Sequence, residues 1–241
     1  MKVYSMTDIG RVRQLNEDSR YQPQPGERFC AVADGMGGHN AGEVASALAV
    51  ETYGNYMRGV NHITGEALRA AVARANDAVY SASQESPEVS GMGTTFSALA
   101  MEGKQCFIAH VGDSRVYLVR RGTLMQLTLD HTLVEEMVLK GLITAREARV
   151  HPRRNVITRA LGTEPRVEID VIQLEMRAGD VFFLCSDGLT NHVPEREILR
   201  AATAHADWDE KLRRLVGIAL ENGGSDNITA MFAVYEEAKG R

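Results

Sequence analysis

The chain has 241 residues, 44% hydrophobic and 24% charged, and its 27 Lys and Arg against 32 Asp and Glu leave a net charge of −5. This balance suits an ordinary soluble chain long enough to bury a core without staples, and the three cysteines, widely spaced in apolar runs, argue against a disulfide framework and for a reducing, cytoplasmic setting. The mild acidity offers no basic patch for nucleic acid, and the chain shows neither a leader-like start nor the ~18-residue apolar run of a membrane span. Taken at face value, the same charge would also repel an anionic substrate.

In chain order, apolar runs rich in branched residues predict strands over Arg28–Ala33, Thr94–Ala100, Gln105–Val111, Val116–Arg120, Val167–Leu174, Asp180–Cys185 and Ile228–Tyr235. Two helices follow the first strand; the second starts at Thr64, with Leu68, Val72, Ala75 and Val79 at helical spacing. Thr132 with Glu135 and Thr144 with Glu147 have the spacing of an N-cap and its returning carboxylate, so a short helical insert is expected from Thr132 to His151. A last helix, capped by Asp207 and Glu210, carries Leu212, Leu215 and Ala219 and stops at Gly223. No linker or repeat divides the chain, so one domain is expected over residues 1–241. Segregated strand runs favour an α+β fold with antiparallel sheets. The charged insert is either a mobile flap or an ordinary helical hairpin.

Four aspartates share a context, an apolar strand-like run ending in an acid beside a small residue: Asp34 in FCAVADGMGG, Asp113 in FIAHVGDSR, Asp187 in VFFLCSDGL and Asp226 in GGSDNITAMF. Each alone reads as a turn. Together they place carboxylates at one sheet edge, where they need hard divalent cations such as Mg2+ or Mn2+. Glycine after the acid lets a backbone carbonyl approach the metal, as at Gly35.

Other chemistries fail on particular residues. Asn40 stands where a dinucleotide loop beginning at Gly35 needs glycine, and no phosphate-cradling Gly-Lys-Ser/Thr loop occurs. A cysteine phosphatase needs arginine six residues after its thiol, and those positions hold Met36, Gly112 and Asn191. The histidines show no short paired zinc spacing. His39, five residues past Asp34, could reach the mouth of a site there, whereas His110 reads as structural.

The segments GRVRQLNEDSR, ADGMGGHNAGEVAS, GMGTTFSA, VGDSRVY, LTLDHT, VITRALG, CSDGL and SDNIT resemble, in order and over essentially the whole chain, the metal-dependent protein serine/threonine phosphatases of the 2C type, in their bacterial form. The resemblance implies a four-layer α-β-β-α sandwich of two antiparallel sheets flanked by helices, with a small helical flap at about residues 130–160. It implies hydrolysis of phosphoserine and phosphothreonine in proteins by a hydroxide bridging two Mg2+ or Mn2+ ions, without a covalent enzyme intermediate. By motif, Asp34 would bridge the metals, the Gly35 carbonyl would bind one, and Asp187 and Asp226 the other. Asp113 would help hold a third, weaker metal with Asp187, Glu17 and Asp18 would hold metal-bound waters, and Arg13 would grip the substrate phosphate. The implied partners are phosphorylated proteins, among them a Ser/Thr protein kinase and its substrates, and a monomer is expected. Eukaryotic-type members carry histidine directly after the Asp-Gly pair. Here that residue is Met36, which leaves a third-metal water or His39 as the acid for the leaving group.

Overall fold

A computed structural model describes residues 1–37, 41–85 and 87–235. The chain opens with β1 (Lys2–Asp8), β2 (Asp18–Tyr21) and β3 (Phe29–Met36), followed by helices α1 (Gly42–Arg58) and α2 (Gly65–Ser83). Strands β4 (Gly93–Thr94), β5 (Phe96–Glu102), β6 (Gln105–Val111), β7 (Arg115–Arg120) and β8 (Thr123–Gln126) come next. The insert holds α3 (Leu133–Leu139) and α4 (Ala145–Ala148), after which run β9 (Asp170–Glu175), β10 (Val181–Cys185), α5 (Asp187–Thr190), α6 (Glu195–Thr203), α7 (Trp208–Glu221) and β11 (Ile228–Val234).

The strands form two sheets, ordered β1-β11-β10-β7-β8 and β2-β3-β5-β6-β9, with β4 paired to β3 and every pairing antiparallel. Alternation along the strands builds the layers. In β3, Cys30 and Val32 enter the core between the sheets with Leu99, Ile108, Phe182, Leu184 and Met231, while Phe29, Ala31 and Ala33 face α1 and α2. In β10, Phe183 and Cys185 face the opposite way, into the core shared with α6 and α7. Full burial of each aromatic ring contributes roughly 1.5–3 kcal/mol, so these two-faced strands fix the sandwich. The expected four-layer α+β arrangement is therefore the observed one.

Local signals explain most element ends. Thr132, Thr144 and Asp207 each accept the amide three residues on, and at Thr144 the Glu147 carboxylate returns to complete the capping box. Helix α7 ends at Glu221, with Asn222 as its cap and Gly223 at φ 121° just beyond. Strands β1, β2 and β8 were not expected. They are short or lie at sheet edges, and their residues are mostly half-buried or exposed, so no apolar run marks them. The predicted strand at Val167 starts three residues later, at Asp170, where pairing with His110 begins.

Cys30, Cys106 and Cys185 are buried free thiols, as the apolar context suggested. Burial pushes Cys30 up to about 12 and is the leading cause that raises the other two, so none is a nucleophile near neutral pH.

Candidate metal-dependent active site

At one end of the sandwich a cavity of about 250 Å³ is lined by Arg13, Glu17, Asp34, Asp113, Asp187 and Asp226, together with Asn155 and Ile157 from the segment after the insert's helices. The two sheets deliver these acids by different routes. Asp34 lies inside β3 rather than past its end, paired in register with Asp18 of β2. Asp113 follows β6 in a turn, and Asp187 opens the short helix after β10. Asp226 corrects the common strand-end pattern, because it precedes its strand β11. Since β11 runs antiparallel to β10, its start lies beside the end of β10, and the two acids still meet.

Backbone contacts hold the parts in place. Thr95 Oγ1 accepts from Asp34 N–H at 3.0 Å, while Thr94 Oγ1 and Thr95 N–H donate to the Asp34 carbonyl at 2.8 and 2.9 Å. Gly35 N–H donates to the Glu17 carbonyl at 3.0 Å, and a Cβ on Gly35 would collide with that oxygen and with the Gly42 carbonyl. Asn227 binds the loop before β2 to the start of β11: its Nδ2 donates to the Ile9 and Leu15 carbonyls at 3.0 and 2.9 Å, and its Oδ1 accepts from Glu17 N–H at 2.8 Å. Ser186 donates to Asp18 Oδ2 at 2.7 Å and accepts from Thr229 N–H at 2.9 Å.

The electrostatics of this cluster are those of carboxylates crowded away from water. Burial, then Asp18, Asp187, Asp113 and Asp226, push the Asp34 carboxyl well above the ordinary 3.8. Burial is also the leading cause that raises Asp113 to about 8 and Asp18 to about 7, with Asp187 the charge that most opposes ionisation of Asp113. Asp187 is raised by burial and by Asp226, against a hydrogen bond it shares with Asp34. Glu17 is raised by burial despite Arg13 beside it. Protein groups alone thus disfavour full ionisation of the cluster.

Arg13 stands at the rim, with Nε and Nη2 each 2.9 Å from an oxygen of Asp226 and Nη1 3.3 Å from Glu17 Oε2. Burial disfavours its charge, but the Asp226 hydrogen bond and the surrounding acids outweigh that and hold the guanidinium up. Among the described residues no three His, Cys, Asp or Glu side chains form a ready-made coordination set. The donor set nevertheless suits a hard divalent ion. It is all oxygen, and Asp18 Oδ1 and Asp113 Oδ1 are buried without any hydrogen-bond partner.

The structure therefore brings Arg13, Glu17, Asp18, Asp34, Gly35, Asp113, Asp187 and Asp226 to one end of the fold. His39 lies outside the described residues. His110 is buried between Ser97 Oγ and the Leu129 carbonyl, at 2.9 and 3.0 Å, and burial lowers it to about 4, in keeping with a structural role. Sequence reasoning passed over Asn155, Ile157, Asn227 and the Thr94–Thr95 pair. The last three lay inside motifs already singled out, whereas nothing in the sequence around Asn155 marks it.

A family model for protein phosphatase 2C matches residues 11–233. The serine/threonine phosphatase stp of Listeria welshimeri is 40% identical, over 93% of this chain and 92% of that protein. The crystal structure of the Mycobacterium tuberculosis serine/threonine phosphatase PstP/Ppp is 40% identical and superposes with a TM-score of 0.89, covering 98% of this chain and 99% of that one. A structure of the PstP catalytic domain in complex with two manganese ions superposes at 0.86, with 40% identity and 96% of each chain covered. With a sandwich, an acid-lined cavity and sequence likeness running nearly end to end, this chain belongs to the protein phosphatase 2C family.

Proposed function

We propose that this protein hydrolyses phosphoserine and phosphothreonine in proteins in a metal-dependent reaction without a covalent enzyme intermediate. The observation that carries this reading is the convergence of Asp34, Asp113, Asp187 and Asp226 on one cavity with Arg13 at its rim. Asp34, the Gly35 carbonyl, Asp187 and Asp226 would hold two Mn2+ or Mg2+ ions, and Asp113 with Asp187 a weaker third. When bound, such ions lower the pKa of water toward neutrality and neutralise charge on phosphoryl oxygens.

The chain's own groups supply the rest. Arg13 presents a planar fork, the geometry that grips two phosphate oxygens, and its present partner Asp226 shows that it reaches the cavity. Glu17 lines the cavity and Asp18 pairs with Asp34 from β2, where both would orient metal-bound water. None of the three thiols is available for a phosphocysteine route. The domain spans residues 1–241 and acts in the cytoplasm as a monomer on phosphorylated proteins, among them a Ser/Thr protein kinase and its substrates.

The deciding experiment offers the chain a phosphothreonine peptide and a phosphate bis-ester, each with and without Mn2+. Mn2+-dependent turnover of the peptide supports the proposal. Faster turnover of the bis-ester identifies a phosphodiesterase instead, and peptide binding without turnover identifies a non-catalytic binding module.

A further inference from the structure

The turn that delivers Asp113 is made at Gly112, whose φ of 107° is left-handed, with Thr95 packed where a Cβ would sit. One buried residue from the LTLDHT segment, His131, holds this glycine at both of its polar atoms. The His131 N–H donates to the Gly112 carbonyl at 2.8 Å, and His131 Nδ1 accepts from Gly112 N–H at 3.1 Å. A neutral imidazole that accepts at Nδ1 carries its proton at Nε2. That proton points to Asp170 Oδ2, 3.1 Å away at the start of β9, and Arg159 Nη1 holds the other Asp170 oxygen at 3.2 Å. Asp170 thus selects the tautomer, and the tautomer selects the contact with Gly112.

The turn has reason to need such a grip. Asp113 Oδ1 is buried without a hydrogen-bond partner, and Asp113 and Asp187 line the same cavity. A peptide fixed at Gly112 holds the Asp113 carboxylate where it can share a cation with Asp187.

We propose that His131, set by Asp170, is a positioning residue for Asp113 and so tunes the weaker cation site that Asp113 and Asp187 form. The inference rests on the placement of that site under the proposed function. The test is a calorimetric Mn2+ titration of the metal-stripped full chain, with thermal melting as a check on folding. Leucine and asparagine share the same number and branching of side-chain heavy atoms, but only the asparagine offers an oxygen near the Nδ1 position.

His131→Leu is expected to weaken the lower-affinity Mn2+ event about tenfold or more, and to leave the tighter events unchanged. His131→Asn is expected to restore it to within about threefold of wild type, because the acceptor for Gly112 N–H returns. Should the leucine variant fail to fold, Asp170→Ala serves instead. It removes a side chain that is 36% exposed, and should weaken the same event roughly three- to tenfold. An unchanged event in His131→Leu, or equal weakening by Leu and Asn, would overturn the inference. Absence of the weaker event in wild type, or its persistence in Asp113→Asn, would instead remove the placement of the cation site on which it rests.

Discussion

The wall of the cavity that carries Asp34, Asp113, Asp187 and Asp226 and the wall that carries Asn155 and Ile157 are built by opposite means. On the acid side the side chains come from both sheets, from strands whose neighbours are almost entirely buried, and their backbones are held by Thr94, Thr95, Ser186 and Asn227. On the other side the insert buries Val134 from α3 and Ala148 from α4, and leaves Leu139, Leu142 and Val150 at 63%, 66% and 79% exposure. Its helices stand on local caps, the bridge of Thr132 to Ile157 closes the insert on itself, and the His131 N–H ties it to the Gly112 carbonyl. A rigid wall suits groups that must share a cation. A lightly anchored wall suits contact with a varied protein partner.

The comparison breaks most decisively at the acids. Asp34→Ala or Asp226→Ala should lower Mn2+-dependent hydrolysis of p-nitrophenyl phosphate and of a phosphothreonine peptide alike by more than ~100-fold, beyond the loss of an outer-sphere partner; activity of either variant in chelator would sink the metal mechanism. Arg13→Ala should lower kcat/KM by about 100-fold, with Arg13→Lys recovering only part, since an ammonium cannot reproduce the bidentate fork. A steady-state comparison of the three proteins checks this.

A subtler difference concerns pH. The carboxyls of Asp18 and Asp113 stand at about 7 and 8 in the fold against an ordinary 3.8. Folded values raised in this way mean that the fold prefers the protonated acids, so stability is greatest below about pH 4 for this contribution and is lost as pH rises through 7 and 8. Cation binding favours the ionised acids and reverses that loss. The Mn2+-induced gain in Tm should therefore be larger at pH 8 than at pH 6, by about 5 °C or more, and equal gains at the two pH values would contradict the protonated cluster. The smallest effect belongs to the other wall. Replacing Arg146, Arg149, Arg153 and Arg154 by Gln should change kcat/KM on a phosphoprotein about three- to tenfold and on p-nitrophenyl phosphate by less than about twofold. Equal changes on both would assign the insert to the chemistry rather than to partner choice.

Much of the acid wall was legible because strand runs and Asp-Gly pairs leave local marks. Gln105–Val111 appears with its predicted limits, and all three predicted N-caps are used. The failures also have physical reasons. β1 and β2 are half-buried strands that earn no apolar run, so the pairing of Asp18 with Asp34 could not be read from either segment alone. The position of Asp226 before its strand was hidden because proximity to Asp187 depends on antiparallel register, which is a long-range property. Asn155 and Ile157 belong to a returning loop whose approach to the cavity follows from the packing of the whole insert.

The place of β11 has a consequence for the birth of the protein. The strand lies between β1 and β10, and Thr7 meets Thr229 across a separation of 222 residues. Until β11 has been made, β1 has no neighbour in its sheet and Asp226 is not in place beside Asp187. Closure of the longest loop in the molecule is both the slow step expected for folding and the step that completes the cavity.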